Sequence, residues 1–318
     1  MTFVWEMSDP TEYQYSNFMF LSLEKLKQKK FNLCAIDITE IDWKEIDLED
    51  ADLQEANLSG INLSGTNLSR ANLFKVKLFG TNLSGANLSG ANLNSTNFSR
   101  ANLSGANLSS ANLIVANLSR ANLSGVNLSG ANLIVAHLIH VNLSSANLNE
   151  ADLEDANLSG SDLSGVNLRN ANLRGATLNG TILRDADLRG IRLENANLCG
   201  ANLNRVDLSS TNLSGINLSG IDLRGANLSD TNLNSTNLRD ADLREAKLIR
   251  VNLWRAKLNR ADLEGADLRY ANLSGANLED ANLSGADLDS ANLEGVKNLA
   301  PEQVKRAHNW KNAKGKFF

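Results

Sequence analysis

The chain has 318 residues, a net charge of −5 at pH 7 and 21% charged residues. This balance favours a water-soluble protein without the strongly basic surface that nucleic acid binding needs. No apolar run approaches the ~20 residues of a membrane helix, and the first residues lack the basic leader and apolar core of a signal peptide. We therefore expect a cytoplasmic protein without a membrane segment.

Residues 1–30 precede a regular repeat and are rich in aromatic side chains. Ser16 is a candidate N-cap for a helix that reaches about Lys29, with Met19 and Leu23 on one side. The open end of a stack of repeats exposes unpaired strand edges, which another segment must cover. We therefore predict that residues 1–30 form a capping segment that contains a helix.

Residues 31–295 consist of 53 consecutive five-residue units in one unbroken frame. The third residue of each unit is leucine, except at Ile38, Trp43 and Phe98. The first residue is small or β-branched and most often alanine, the second is mostly Asn or Asp, and the last two favour Ser and Gly. Five residues advance about 500° on a helix of 100° per residue, so the leucines would move around its axis. The period therefore excludes a helix.

Residues two apart in an extended chain share a face, so the first and third places point inward and the second points outward. The fourth and fifth places must then turn the chain. Of the 22 glycines, 21 occupy the fifth place, where positive φ is needed; where another residue stands there we expect a different turn type. Both prolines lie outside the repeat, as pairing of N–H groups between coils requires. These features predict an all-β solenoid with a leucine core that leaves no internal cavity.

The motif A-[N/D]-L-x-x, present for example in Ala86–Gly90, resembles the pentapeptide-repeat family. The resemblance covers residues 31–295 and implies a right-handed quadrilateral β-helix with four units per coil and short helical caps at its ends. The repeat then makes about 13 coils and a rod roughly 60 to 65 Å long, at ~4.8 Å per coil. On this geometry Cys34 and Cys199 lie ~40 Å apart, too far for a disulfide, which favours a reducing compartment.

A group of outward apolar residues interrupts the segment 56–149, which contains no acidic residue. With four units per coil, Ile114 stacks on Ile134 and Val115 on Val135, and the whole group falls on two adjoining sides. Contiguous exposed apolar groups mark interaction sites, whereas single exposed apolar residues are common, and both interpretations stay open. We call this candidate protein-interaction surface the apolar strip; its members are Phe74, Phe79, Ile114, Val115, Ile134, Val135 and Ile139.

Two further features of the outer surface invite a functional interpretation. His137 and His140 share one unit and suggest a metal site, but no third ligand lies within one coil, and zinc needs three or four protein ligands. We therefore predict no metal site and no cofactor. Trp254 lies on the same side as Phe74 and is a further candidate contact residue, either as a lone anchor or packed on Arg255.

The surface from Glu150 to Gly295 is charged, with mixed signs. Arg184, Arg224 and Arg244 recur at multiples of 20 and predict an arginine ladder on one side, with Arg205 close by. Acidic residues are interleaved with these arginines, which predicts a salt-bridged and solvated face. A nucleic acid track would need unopposed cations and aromatic stacking partners, so nucleic acid is not the expected partner.

Residues 296–318 leave the frame and predict a C-terminal capping helix and tail. Pro301 suits the first position of a helix, and Val304 and Ala307 could share a face over the last coil. The segment 298–304 is similar to the closing segment of cyanobacterial members of the family, which hints at a cyanobacterial source.

Three classes of function compete. The first is a non-enzymatic rigid scaffold that binds a protein partner through its outer faces, as a monomer or as a weak dimer through the apolar strip or an end cap. The resemblance implies an alternative, a DNA mimic that binds a type II topoisomerase (gyrase), although residues 56–149 lack the acidic surface expected of one. Catalysis needs groups that converge in a pocket, and a convex rod with a leucine core predicts no catalytic residue and no enzyme.

Overall fold

The computed structural model describes Trp43 and residues 47–315. These residues form a right-handed quadrilateral β-helix, as the family resemblance implies. The predicted N-terminal capping segment, residues 1–30, lies outside the described residues. The predicted boundaries of the repeat and of its caps stay a prediction.

Each coil of the β-helix has four sides, and each side is one five-residue unit. Single parallel bridges join the second residue of a unit to the residue twenty positions later, from Asp52–Asn72 to Asn277–Lys297, so the strands are isolated bridged positions rather than long ladders. We number the sides by the first residues of their units: side 1 begins at 51, 71 and so on, side 2 at 56 and 76, side 3 at 61 and 81, and side 4 at 66 and 86. A residue therefore lies above the residue twenty positions before it.

All five N–H groups of a typical unit have an acceptor. In Ala86–Gly90 the first N–H donates to the preceding unit at 3.0 Å and the second to the preceding coil at 3.0 Å. The third and fifth donate to the following coil at 2.7 and 2.9 Å. The fourth, of Ser89, donates to Oδ1 of Asn87 at 3.2 Å. This last bond explains the second place, because an Asn or Asp there supplies the acceptor that the turn lacks.

The Asn side chains also bond to one another along the rod. On side 3, Nδ2 of Asn102 donates to Oδ1 of Asn82, and Nδ2 of Asn122 donates to Oδ1 of Asn102, both at 3.2 Å. A stack of identical amides satisfies donors and acceptors in each coil with the same geometry. The second place therefore holds each turn and also joins successive coils.

The fifth place has positive φ whichever residue stands there. Gly90 has φ 65°, Arg100 has 60°, Asp230 has 59° and Val135 has 57°. The expectation of a different turn type at the non-glycine positions is wrong. A left-handed conformation costs about 1–2 kcal/mol for an ordinary residue, and the bonds to the following coil hold it in place.

The first and third side chains fill the interior along the whole described rod. Phe98 is fully buried in the position of a leucine, and Leu113 is equally buried. A hydroxyl at the first place finds a backbone acceptor either in the coil below, as Thr81 does by donating to the Leu58 carbonyl at 2.7 Å, or in the preceding unit, as Thr181 does by donating to the Leu178 carbonyl at 2.8 Å. Buried polar atoms of this kind cost little because they are hydrogen-bonded.

The ladder opens on two sides between residues 191–200 and residues 211–220. Among the described coils, the bridges expected at 192–212 and 197–217 are missing on sides 1 and 2, while those at 202–222 and 207–227 remain on sides 3 and 4. Bulky first-place residues concentrate here, namely Ile191, Val206, Ile216 and Ile221. Ile191 and Ile216 lie on the two sides that open, and Ile221 and Val206 lie on the two sides that stay bridged.

A small cavity accompanies this opening and corrects the expectation of a core without internal space. It measures about 10 Å³ and is lined by leucines and one isoleucine between Leu168 and Leu223. A water molecule needs at least this volume and also two or more polar partners, which an aliphatic lining does not offer. The cavity is thus a packing defect and leaves no interior room for chemistry.

The C-terminal end of the rod is closed by its own tail. Helix α1 spans Pro301–Lys305, and a 3₁₀ turn spans Trp310–Asn312. Val304 is fully buried, and Trp310 packs partly buried against the core. None of the helices in the described part of the chain has the length and apolar character that crossing a bilayer requires.

The tail also pairs the backbone edge of the last coil. His308 bridges to Asp287, and Lys314 bridges to Asn292. Nε2 of Gln303 donates to the Ala281 carbonyl at 2.9 Å. Covered edges of this kind prevent another chain from adding a strand at this end.

Candidate functional site

Four residues of the apolar strip stack directly in two adjacent coils; we call them the central four. Val115 is 45% exposed and Val135 is 42% exposed, while Ile114 and Ile134 are half-buried. The Val115 N–H donates to the Ile134 carbonyl at 3.1 Å, which sets the register of the two coils. The central four therefore form one apolar patch at the corner between side 1 and side 2.

The two phenylalanines of the strip lie apart from the central four. Phe74 on side 1 is half-buried and Phe79 on side 2 is 46% exposed, and both belong to the coil of residues 71–90. The next coil places Asn94 and Ser99 in the same columns, so one polar coil separates the two apolar groups.

Ile139 is the last member of the strip and lies on side 2, half-buried. It belongs to the same coil as Ile134 and to the same column as Phe79, three coils further along. The strip therefore consists of a phenylalanine pair, a polar coil and then the central four with Ile139.

Trp254 lies in the side 1 column of Ile114, six coils beyond Ile134, between Asn234 and Ser274. Its side chain is 37% exposed, and Cζ of Arg255 lies 4.2 Å from the ring centroid. Of the two interpretations open for Trp254, the geometry fits packing against Arg255. A guanidinium over an indole face is a favourable cation–π contact.

Two exposed apolar side chains were missed by the sequence reasoning. Ile182 is 41% exposed at a second place, and Tyr270 is 58% exposed at a fifth place. The signal was available, because Ile182 breaks the Asn/Asp pattern and Tyr270 stands where Gly, Ser or a charged residue is usual. Ile182 has no apolar neighbour in the same column one coil away, whereas Ile249 lies on the side of Tyr270 in the coil below.

Cations border the apolar strip, and carboxylates stand one coil beyond its two ends, with Glu55 below Lys75 and with Glu154 and Asp155 above Ile134 and Val135. Nζ of Lys75 lies 5.0 Å from the Phe74 ring centroid, and Cζ of Arg100 lies 5.8 Å from that of Phe79. Arg120 stands directly above Arg100, and both are exposed at the corner between side 2 and side 3. Side 2 is thus bounded by the valine corner on one edge and by the arginine corner on the other.

His140 continues the arginine column by one coil. Its Nδ1 lies 3.3 Å from the Gly160 carbonyl oxygen, so one ring nitrogen already has a backbone neighbour. Over the described residues, no group of three or more His, Cys, Asp and Glu side chains is placed to hold a metal ion. His137 is exposed on the same side and joins the polar floor of side 2.

The arginine ladder of the second half lies on side 3 and is compensated by aspartates. Arg224 binds Asp222 through two nitrogens at 2.7 and 3.0 Å and approaches Asp242 in the next coil at 3.5 Å. Arg244 repeats the pattern, binding Asp242 at 2.6 Å and approaching Asp262 at 3.6 Å. Alternating charges of this kind leave no cationic track.

The same pairing recurs wherever the sequence reads Asp-Leu-Arg. In each case the arginine hydrogen bonds hold the pKa of the aspartate below its ordinary value near 3.8. Since the folded-state pKa is lower than the unfolded one, each pair stabilises the fold above about pH 4 and loses this effect as the pH falls through the folded pKa. The four aspartates are Asp187, Asp222, Asp242 and Asp267.

We expect the acid limb of the stability curve to depend on these four pairs. The protein should keep a constant urea midpoint between about pH 7 and pH 5 and lose stability below about pH 4. A variant with all four aspartates replaced by asparagine should have a lower urea midpoint at pH 7, and this midpoint should decrease less steeply as the pH falls. Urea titrations followed by circular dichroism across this pH range measure the difference. A Glu150→Gln variant is the control, and identical acid limbs in all three proteins would contradict the assignment.

The chain matches the family described as pentapeptide repeats along nearly all of its repeat. The matched residues are 46–85, 77–113, 116–155, 151–190, 186–225, 226–265 and 256–295. Among curated proteins, none matches the sequence.

Several solved structures resemble the chain. HetL, a pentapeptide repeat protein involved in heterocyst differentiation regulation from the cyanobacterium Nostoc sp. strain PCC 7120, is 30% identical over 82% of this chain and 88% of its own, with a TM-score of 0.25. Rfr23 from the cyanobacterium Cyanothece 51142 is 43% identical over 28% of this chain and 58% of its own, with a TM-score of 0.23.

QnrB1, a plasmid-mediated fluoroquinolone resistance protein, is 16% identical over 69% of this chain and 88% of its own, with a TM-score of 0.25. This similarity concerns the repeat fold alone. The five-residue frame, the twenty-residue pairing of the coils and the family match agree with one another. The chain belongs to the pentapeptide-repeat family.

Proposed function

We propose that this protein is a non-enzymatic, rigid scaffold that binds a protein partner through its outer surface, chiefly through the apolar strip. The central four carry this proposal, because they place adjacent apolar side chains on a surface otherwise made of Asn, Ser and Gly. Contiguous exposed apolar groups are typical of protein-interaction sites. The bonded coils and the buried leucine column supply a stiff support for such a site.

A scaffold without catalysis fits the surface of the rod. The internal cavity is small and aliphatic, and the open depression on side 3 is lined by arginines that are already paired with aspartates. Neither offers the converging groups that catalysis needs. The exposed thiol of Cys199 forms no disulfide, which supports a reducing, cytoplasmic location as part of the same proposal.

The alternative function, a DNA mimic that binds gyrase, has less support. A mimic of duplex DNA presents regular negative charge, but side 2 and its neighbours carry cations and no carboxylate between residues 56 and 149. A gyrase supercoiling assay with and without a quinolone separates the two functions. We expect no effect of the protein on supercoiling, and inhibition or protection would favour the mimic.

We expect the paired substitution Ile114→Asp and Ile134→Asp to abolish partner binding without unfolding the rod. Both side chains point outward, so the charges lie in water in the free protein but would be buried without a partner in the complex. The tagged protein and the variant are compared by affinity capture from native cells. The recovered partner is then purified, and its affinity for each protein is measured directly.

The matched control is Ser124→Asp and Ser144→Asp, which places two carboxylates in the same coils on the opposite side. It should bind the partner as the unmodified protein does. Circular dichroism verifies that both variants keep the fold. Equal affinity of the partner for all three proteins would contradict the apolar strip as the contact surface.

A further inference from the structure

Among the seven arginines at fifth places, three have no carboxylate directly below them, namely Arg100 and Arg120 on side 2 and Arg255 on side 1, which packs on Trp254. Four of the seven form an ion pair with the aspartate twenty residues earlier, directly below in the rod. The distances are between 2.7 and 3.0 Å. These pairs are Arg70–Asp50, Arg205–Asp185, Arg250–Asp230 and Arg260–Asp240.

Arg100 and Arg120 have no such carboxylate among the described residues. Gly80 lies below Arg100, and Arg120 lies directly above Arg100, so two like charges stack at ~4.8 Å. Stacked like charges repel each other, and here no neighbouring carboxylate relieves the repulsion. An arginine column of this kind is complementary to an anionic surface on another molecule.

The spacing of the coils indicates which secondary structure of that molecule could follow the apolar side chains along the rod. Columns of residues along the rod repeat every ~4.8 Å, which is close to the 5.4 Å turn of an α-helix. Over three coils the two repeats drift apart by only about 2 Å. An extended strand presents same-face side chains every ~6.7 Å and drifts by about 2 Å at each coil. A helix that lies along the rod therefore matches the spacing better than a strand.

Building on the proposed function, we propose that side 2 within residues 71–150 binds an amphipathic α-helix of a partner protein. The apolar stripe of this helix packs on the central four, and an acidic flank pairs with Arg100 and Arg120. The floor between the two edges is polar and carries no carboxylate within residues 71–150, with Lys77, Asn97, Asn117 and His137 at its second places. An amphipathic helix that binds in this way presents apolar anchor residues at positions i, i+3, i+4 and i+7 of its own sequence.

Two synthetic helical peptides of about 18 residues test the chemistry. Both carry the same leucine stripe, and one flank is glutamate in the first peptide and lysine in the second. Fluorescence anisotropy at about 0.05 M salt measures their affinities for the full-length protein. The glutamate peptide should bind at least about tenfold more tightly, and this preference should shrink at about 0.5 M salt.

The double variant Arg100→Glu and Arg120→Glu should lose the preference for the glutamate peptide. The control Arg169→Glu and Arg192→Glu changes the charge equally, outside side 2, at arginines that form no ion pair in the described structure. It should keep the affinity within about twofold, since distant charges are screened.

The proposal is overturned if the two peptides bind alike, if neither binds, or if charge reversal leaves the preference intact. Tighter binding of a single-stranded DNA of similar length than of the glutamate peptide would also overturn it and indicate nucleic acid instead. The proposed function fails separately, when partner capture is insensitive to Ile114→Asp and Ile134→Asp. Capture that depends on the central four, combined with no preference for the acidic helix, rejects this inference alone.

Discussion

Replacing Phe98 with alanine should lower the free energy of unfolding by about 3–5 kcal/mol. Phe98 is fully buried in the leucine column, and the backbone around it is bonded to the coils on both sides, since its N–H donates to the Asn117 carbonyl in the following coil and the N–H of Asn97 donates to the Val76 carbonyl in the preceding one. A backbone held in this way cannot collapse into the space that the ring leaves, so a cavity remains. Urea denaturation followed by circular dichroism measures the loss.

The control for this prediction is Phe98→Leu, which restores the usual residue of the third place. This substitution should lower the free energy of unfolding by less than about 1.5 kcal/mol, because leucine is accommodated in every neighbouring coil. A similar loss for both variants would show that the ring itself, rather than the filled volume, holds these coils together.

Removal of residues 121–125 should preserve the fold and weaken partner binding. The deletion removes one whole unit, so the five-residue frame and the inward leucines are kept. Every residue after the deletion then moves back by one side of the rod, so Ile139 replaces Ile134 above Ile114 and His140 replaces Val135 above Val115. Circular dichroism and affinity capture, applied to the same preparation, measure fold and binding together.

The matched control is removal of residues 226–230, which has the same length but follows the apolar strip. It rotates the C-terminal coils and leaves the central four stacked, so the partner should still bind. Binding by both deletion variants would show that the stacking of the central four does not matter. Loss of circular dichroism in either variant would show instead that the frame is less tolerant than the repeat suggests.

Much of the fold could be predicted because the same pattern of inward and outward residues recurs in every five-residue unit. Alternation of Ala and Leu with Asn between them identifies the inward and outward places in a single unit, such as Ala86–Gly90. The four-sided coil was predicted from the family resemblance, since the period is compatible with other numbers of sides. The stacking of Ile114 on Ile134 then followed from a spacing of twenty residues.

The remaining features depend on interactions between coils that a single unit does not reveal. The left-handed turn at Val135 is set by its bond to Glu154 in the next coil, which overrides the preference of valine. The opening near Ile191 and Ile216 lies between two coils, and no single unit indicates it. The isolation of Arg100 from any carboxylate is visible only once the residues above and below it are known.

The missing bridges between residues 191–200 and 211–220 have a mechanical consequence. In a stack whose cohesion is the sum of contacts between adjacent layers, the layers part first where those contacts are fewest. Two of the four walls are unlinked there, so the two remaining walls act as a hinge. Under bending or tension the protein would behave as two stiff segments joined by a compliant joint. The apolar strip lies wholly within the segment before that joint.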